Sequence, residues 1–136
     1  MNVIVSNKNE GLLNSLDIDV IKSINGEFEV DEIIQTFSNF FFNRMFLDIT
    51  AVKEYTNITN IQKLSMNLDI DKVIFLLDTN LMNDNSFLSK LISIGIYNFA
   101  NNKESLLYLY NHPNTYKDVA HIHQLNTNTM TTQPQE

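Results

Sequence analysis

Apolar residues in this 136-residue chain fall into two kinds of stretch: short unbroken runs, and longer ones in which they recur every three or four positions. Val3-Ile4-Val5 is of the first kind and gives way to polar Ser6-Asn7-Lys8-Asn9, which predicts a strand covered on both faces and then a loop. Asn9, with Glu10 behind it, is placed to cap a short helix carrying Leu12, Leu13 and Leu16. Asp19 to Ile24 reads as a second strand, stopped by the turn pair Asn25-Gly26. Val30, Ile33, Ile34, Phe37 and Phe40 form one stripe of a helix over Val30 to Phe40, with Glu29, Asp31 and Glu32 at its positive amino end. Met45 to Ile49 is the third strand. Tyr55 to Leu68 is the next helix, with Ile58, Ile61, Leu64 and Leu68 on one face. Lys72 to Leu77 makes a fourth strand, and Asp78 to Ser86 a polar loop. Phe87 to Ile94 is a helix ended by Gly95, Ile96 to Phe99 a short fifth strand, and Asn102 to Asn111 a last helix before Pro113.

Five apolar strands alternating with amphipathic helices predict a parallel sheet covered on both sides. Right-handed crossovers leave few arrangements, and at this length the expected fold class is α/β, a flavodoxin-like three-layer sandwich with a five-stranded parallel sheet in the order 2-1-3-4-5. The domain is expected over residues 1–119. From Ala120 the periodicity dissolves, and Gln124 to Glu136 is mostly Asn, Thr, Gln and Pro, so 120–136 is expected to be a disordered linker or tail.

Charge and composition narrow the function. Sixteen acidic against nine basic residues leave a net charge of −7, which repels polyphosphate backbones and anionic membranes and excludes nucleic acid as the expected main partner. No apolar run approaches the roughly 18 residues of a membrane span and no signal-peptide pattern opens the chain, so no direct membrane insertion is expected and the chain reads as soluble and cytoplasmic. Zero cysteines exclude disulfides, thiol catalysis and cysteine-ligated zinc. With glycine only at 11, 26 and 95, neither a glycine-rich phosphate loop nor a Gly-x-Ser-x-Gly elbow can be written, and Ser6 to Gly11 falls short of a flavin phosphate loop. His121-Ile122-His123, with His112 nearby, points two imidazoles one way from an extended segment but lacks a third ligand, so a solvated tail is expected, with no metal and no cofactor. Tyr108 and Tyr110 are expected to divide between solvent and sheet, with Tyr116 nearby, and Phe40-Phe41-Phe42 to plug the core at a helix end. Asp69, Asp71, Asp78 and Asp84 read as helix-end and loop acids rather than a calcium loop.

In doubly wound sheets chemistry sits beyond the carboxyl ends of the strands, here the loops after Val5, Ile49, Leu77 and Phe99. Asp48 is the acidic residue at a central strand end. Met45-Phe46-Leu47-Asp48-Ile49-Thr50 resembles the third strand of response-regulator receiver (CheY-like) domains, and the element pattern extends the resemblance over residues 2 to 111. That family implies a phosphoacceptor aspartate, an acidic pair after strand one for Mg²⁺, a hydroxyl residue at the end of strand four and a lysine after strand five. A carboxylate attacking a phosphoryl dianion needs the cation to neutralise charge. This chain has Ser6, Asn7 and Lys8 at the first place, Leu77 at the second with Thr79 two positions on, and Asn102 at the third with Lys103 one residue late. A degenerate site of Asp48, Asn7, Lys8, Leu77 and Asn102 is therefore expected, in a protein that is not an enzyme. Asp48 is expected to accept loop amides or to pair with Lys8, a Lys8–Asp48 ion pair being the sharper expectation. The alternatives are a true phosphorylatable switch, with Asn7 and water completing a weak metal shell around Asp48, and a small-ligand sensor using the same crevice.

The divergent receiver starting at Met1, the strand end Phe46-Leu47-Asp48-Ile49-Thr50-Ala51, and Gly95-Ile96-Tyr97-Asn98-Phe99 followed by Leu106 to His112 resemble the N-terminal receiver-like (pseudo-receiver) domain of CpaE/TadZ proteins. Those carry a C-terminal MinD-like P-loop ATPase and serve pilus assembly; that half lies outside these residues. The resemblance implies a non-catalytic module for protein–protein interaction or homodimerisation, attached to such an ATPase domain, and recruited by partners to the cell pole or inner membrane face. In receivers the face of the fourth helix, fifth strand and fifth helix makes such contacts, which on this chain implies Lys90, Ile94, Tyr97, Leu107 and Tyr110.

Overall fold

Successive side chains of a strand point to opposite faces, so each unbroken apolar run can feed two core layers at once. A computed structural model, describing the backbone of residues 1–131 and side chains through residue 123, shows this sorting. Strands β1 (Asn2–Ser6), β2 (Val20–Asn25), β3 (Arg44–Asp48), β4 (Val73–Leu76) and β5 (Phe99–Ala100) form one parallel sheet in the order β2-β1-β3-β4-β5. Val3, Val5, Met45, Leu47, Val73 and Phe75 face one layer, built from α2 (Val30–Phe37), α3 (Ile58–Asn67) and α5 (Asn85–Ser93). Ile4, Phe46, Ile74 and Leu76 face the other, built from α1 (Glu10–Asn14) and α6 (Lys103–Asn111). The three-layer sandwich read from the pattern is the observed architecture.

Helix ends follow local chemistry. The α2 amino end is a capping box, in which Glu29 accepts the Glu32 backbone and Glu32 accepts the Glu29 N–H at 2.9 Å. At the far end of α5, Gly95 takes φ +91°, its N–H bonds the Ile92 carbonyl, and the Ile96 N–H reaches Leu91. This is a Schellman closure that favours glycine, as the sequence indicated. The Asp78–Ser86 segment, expected as a loop, holds a short helix α4 (Thr79–Met82), because Asp78 accepts the Leu81 N–H at 2.8 Å and caps it. Asp84 likewise caps α5 through Phe87. β5 is only two residues long: the carbonyl of Tyr97 and the side chain of Asn98 are taken by Asn114, at 3.0 and 2.7 Å, which ties the chain after Pro113 to this edge.

The segment expected as linker or tail departs from expectation. A helix α7 (Tyr116–Thr131) begins inside the domain and packs beside α5, with Val119 buried and Ile122 against the core. Thr115 starts it: its N–H donates to the Asp118 carboxylate at 2.8 Å, half of a capping box. The boundary at residue 119 thus falls within a helix. The tail expectation for 132–136, and for the side chains of 124–131, lies outside the described residues. His121 and His123 sit on this helix, where a spacing of two turns them apart instead of pointing them one way. His123 Nδ1 instead lies 2.9 Å from the Tyr116 hydroxyl.

Candidate functional site

A carboxylate at the end of a central strand is stripped of water and must find hydrogen-bond donors elsewhere. Asp48 is fully buried, at 0% exposure, and accepts hydrogen bonds from both neighbouring loops. Its Oδ2 accepts the backbone N–H groups of Asn7 at 3.0 Å and Asn9 at 2.8 Å. Its Oδ1 accepts the Asn9 side-chain amide at 3.1 Å, the Thr50 N–H at 3.0 Å and the Thr50 hydroxyl at 2.8 Å. Five bonds occupy the roughly four lone-pair sites a carboxylate offers. Burial pushes the Asp48 pKa up, but the Asn9 amide, the Thr50 hydroxyl and the N–H groups of Asn9 and Asn7 outweigh it and hold the group ionised below its ordinary 3.8.

The supporting bonds lock the two loops together. Thr50 donates its hydroxyl proton to Asp48 and accepts the Lys8 N–H at 3.1 Å, while the Asn7 side chain donates to the Thr50 carbonyl at 2.8 Å. The neighbouring loop closes the same way: Phe28 N–H donates to Ala51 and Lys53 N–H to Phe28, a single parallel bridge between Phe28 and Val52. Segments 7–9, 28 and 48–53 are therefore one hydrogen-bonded unit.

Each residue expected at the degenerate site has a definite place. Asn7 joins Asp48, through its backbone. The Lys8–Asp48 ion pair does not form: the Lys8 side chain is exposed, and the ion pairs among the described residues join the Met1 amine to Asp19, Lys53 to Glu29, Lys63 to Asp31 and Lys72 to Asp69. The physical reason is saturation, since five uncharged donors already satisfy the carboxylate and a lysine gains more by staying hydrated. Leu77 is core, 1% exposed, with its N–H on the Ala100 carbonyl at 2.8 Å. Asn102 caps α6 through the Ser105 N–H at 2.8 Å and takes no part at Asp48. Asn9 stands at the amino end of α1, but its side chain serves Asp48 instead of capping the helix.

Mg²⁺ does not fit this donor set. The one carboxylate has its lone pairs filled, the Asn7 amide is turned to Thr50, and no group of three His, Cys, Asp or Glu side chains that could hold a metal occurs among the described residues.

The five residues expected as one interaction face lie on α5, on α6 and on the segment between them, the two helices covering opposite sides of the sheet next to its β5 edge. Lys90 is exposed on α5, whereas Ile94 and Tyr97 pack half-buried into the α2–α3–α5 layer, where Tyr116 of α7 meets Tyr97 edge-on at 5.9 Å between ring centres. Leu107 and Tyr110 pack into the opposite layer, Tyr110 lying 5.9 Å from Phe46 and accepting the Asn2 amide at 3.1 Å. The chain's own last helix takes part of the expected surface. Tyr108 is exposed and stacks on His112, so the two tyrosines divide as their spacing implied. In the Phe40–Phe42 run, Phe42 is buried and Phe40 half-buried, but Phe41 is 69% exposed beneath the Lys72 ammonium.

Residues that sequence reasoning missed are Asn9 and Thr50 as partners of Asp48. Thr50 had a local signal, because an aspartate two residues before a hydroxyl residue readily accepts its N–H in an Asx turn. Asn9 had none, since the two loops meet only in space.

No family model matches the chain, and no curated protein matches it. Among solved structures, the RcsB response regulator of Salmonella typhimurium, studied for conformational dynamism in DNA interaction, shares the fold. It is similar at a TM-score of 0.58 and 14% identity, over 91% of this chain and 69% of that one. The likeness is one of fold, a five-stranded parallel sheet in the flavodoxin-like order with helices on both faces. No helix among the described residues is long and apolar enough to cross a membrane.

Proposed function

We propose that this chain is a non-catalytic receiver-fold module that acts by binding protein, either a partner or a second copy, with its strand-end aspartate kept as a structural clamp. The observation that carries this reading is the saturation of Asp48 by Asn7, Asn9 and Thr50. Nucleophilic attack on phosphorus needs a free carboxylate lone pair, a path to it and a cation to offset charge. Asp48 has neither the lone pair nor the path, and the residue types around it offer no second carboxylate. What remains for function is surface. The finer form of the proposal makes the chain the localisation module of a CpaE/TadZ-type pilus-assembly ATPase, with partners holding it at the cell pole or inner membrane face. Support for that form comes from the strand end Phe46 to Ala51 and the segment Gly95 to Phe99 followed by Leu106 to His112.

The test is titration of the ¹⁵N-labelled chain with Mg²⁺ and beryllofluoride, a phosphoryl mimic. The expected result is no saturable shift at residues 7–9 and 48–50. Saturable shifts there would overturn the clamp and restore the phosphoacceptor. A reading frame that carries a P-loop ATPase shortly after residue 136 is the expected finding for the pilus-assembly form, and a stop codon there overturns that form alone.

A further inference from the structure

At the opposite end of β3 from Asp48, four residue steps and about 13 Å away, lies a cavity of about 380 Å³ lined by Asn43, Arg44, Lys72, Tyr110 and Asn111. We propose that it binds a phosphate group, free or as a monoester, held by Arg44, Lys72 and the Tyr110 hydroxyl.

Arg44 is the chain's single arginine. Its Nη1 donates to the Asn43 carbonyl at 3.0 Å, but its Nε is buried without a partner. A guanidinium presents five donors in a fixed fork, and with Nε enclosed by protein the Nη donors are the ones the cavity can use. Lys72 brings a second cation to the same cavity, its ammonium 3.8 Å from Asp69 and 4.9 Å from the centre of the Phe41 ring. The Tyr110 oxygen already accepts from Asn2, which leaves its proton to donate. Asn111, at the negative end of α6, would oppose an anion if its carbonyls were bare. Of the carbonyls near this end, Leu107 is met by the Asn111 amide and Tyr108 by the His112 N–H, and the last ones of the helix are opposed by the two cations. Donors on β3, on the turn before β4 and on α6 therefore line one cavity, and an anion with several acceptor oxygens suits such a set.

The net charge of −7 opposes diffuse anion binding, so an anion held here is held by these side chains. A second groove of about 320 Å³ meets the cavity at Lys72 and runs along Phe40, the exposed Phe41 and Leu68. It gives the apolar part of a monoester a surface to lie on.

The experiment is an amide-shift titration of the whole chain with inorganic phosphate and with phenyl phosphate, at ionic strength matched by chloride. The expected result is saturable shifts at Asn43, Arg44, Lys72 and Asn111 for both anions, with Asn7–Asn9 and Asp48–Thr50 unmoved. R44Q and K72Q should each weaken binding about tenfold, about 1.4 kcal/mol, while the rest of the spectrum stays native. Phenyl phosphate binding more tightly, with the gain lost in Phe41→Ser, supports the monoester form; equal affinities support the free anion. Absence of saturation by about 20 mM (about 2.3 kcal/mol of binding free energy), or binding unchanged in both R44Q and K72Q, overturns the proposal. Because the site is remote from Asp48, its failure leaves the clamp reading untouched.

Discussion

Asp48→Asn changes one atom and removes one charge. At a phosphoacceptor this would silence chemistry and leave the fold intact; at a clamp it is a lesion. Oδ2 accepts two backbone N–H groups, and Oδ1 accepts three donors, one of them a hydroxyl that can rotate away. An amide keeps one oxygen. Its cheaper orientation sets the new NH₂ against the N–H groups of Asn7 and Asn9, orphaning both, and each orphan costs about 1–3 kcal/mol. The remaining bonds also lose the strengthening that ionisation gave them. A total of about 3–5 kcal/mol follows, a large share of the roughly 5–15 kcal/mol by which domains of this size are stable. At about 4 °C per kcal/mol, interpolated for this length, the melting temperature should fall by about 12–20 °C. Urea unfolding of wild type and variant should show a lower midpoint with an unchanged slope. A variant within about 1 kcal/mol of wild type would refute the reasoning, because the loops would then be held by something other than Asp48.

Three further outcomes follow from the same contacts. Thr50→Val removes the hydroxyl that donates to Asp48 and accepts from Lys8, and should cost about 1–2 kcal/mol in urea unfolding; no loss would mean that the bond contributes nothing net. The folded-state pKa of Asp48 lies below its ordinary 3.8, so ionisation stabilises the fold above that pH, and this contribution disappears as pH falls through the depressed folded value. Acid unfolding should accordingly be steeper below pH 3.8 in wild type than in Asp48→Asn, and superimposable curves would contradict the shift. Val119→Ala should cost about 1–2 kcal/mol and release hydrogen-exchange protection in α7 before the sheet; uniform release would show that α7 belongs to the global unfolding unit.

Strand order was legible because the central strands are unbroken apolar runs and the elements alternate, two signals that survive without any knowledge of side-chain contacts. Gly95 was legible because a helix end in the left-handed region admits few other residues. The last helix was not: Val119 and Ile122 are its buried apolar positions among residues of known burial, too sparse a stripe to stand out from Asn, Thr and Gln. The signal lay in Thr115 and Asp118, a threonine followed three residues later by an acid, directly after the proline that ends α6. The clamp was half legible. Its acceptor and its backbone donors follow from a carboxylate placed at a strand end beside a polar loop. Its choice of Asn9 over Lys8 depends on which side chain the loop turns inward, and adjacent residues of one polar loop carry no periodicity to decide that.

A buried strand-end carboxylate can be satisfied in two ways: by a cation and an incoming phosphoryl group, or by the chain itself. The first is reversible, and reversibility is what makes a switch, because the two states differ in the groups that hold the loops. The second, the one proposed for this chain, is built into the fold. With Asn7, Asn9 and Thr50 in place, the loops after β1 and β3 are joined through one carboxylate, and the bridge from Phe28 to Val52 extends the unit to the loop after β2. A ligand shifts an equilibrium only by its differential affinity for two states, and the clamp proposed for this chain supplies no second state. Control of a module built this way then has to come from outside the crevice: from how much of it is present, from what its surfaces meet, and from whether α7 stays seated on α5 above Tyr97.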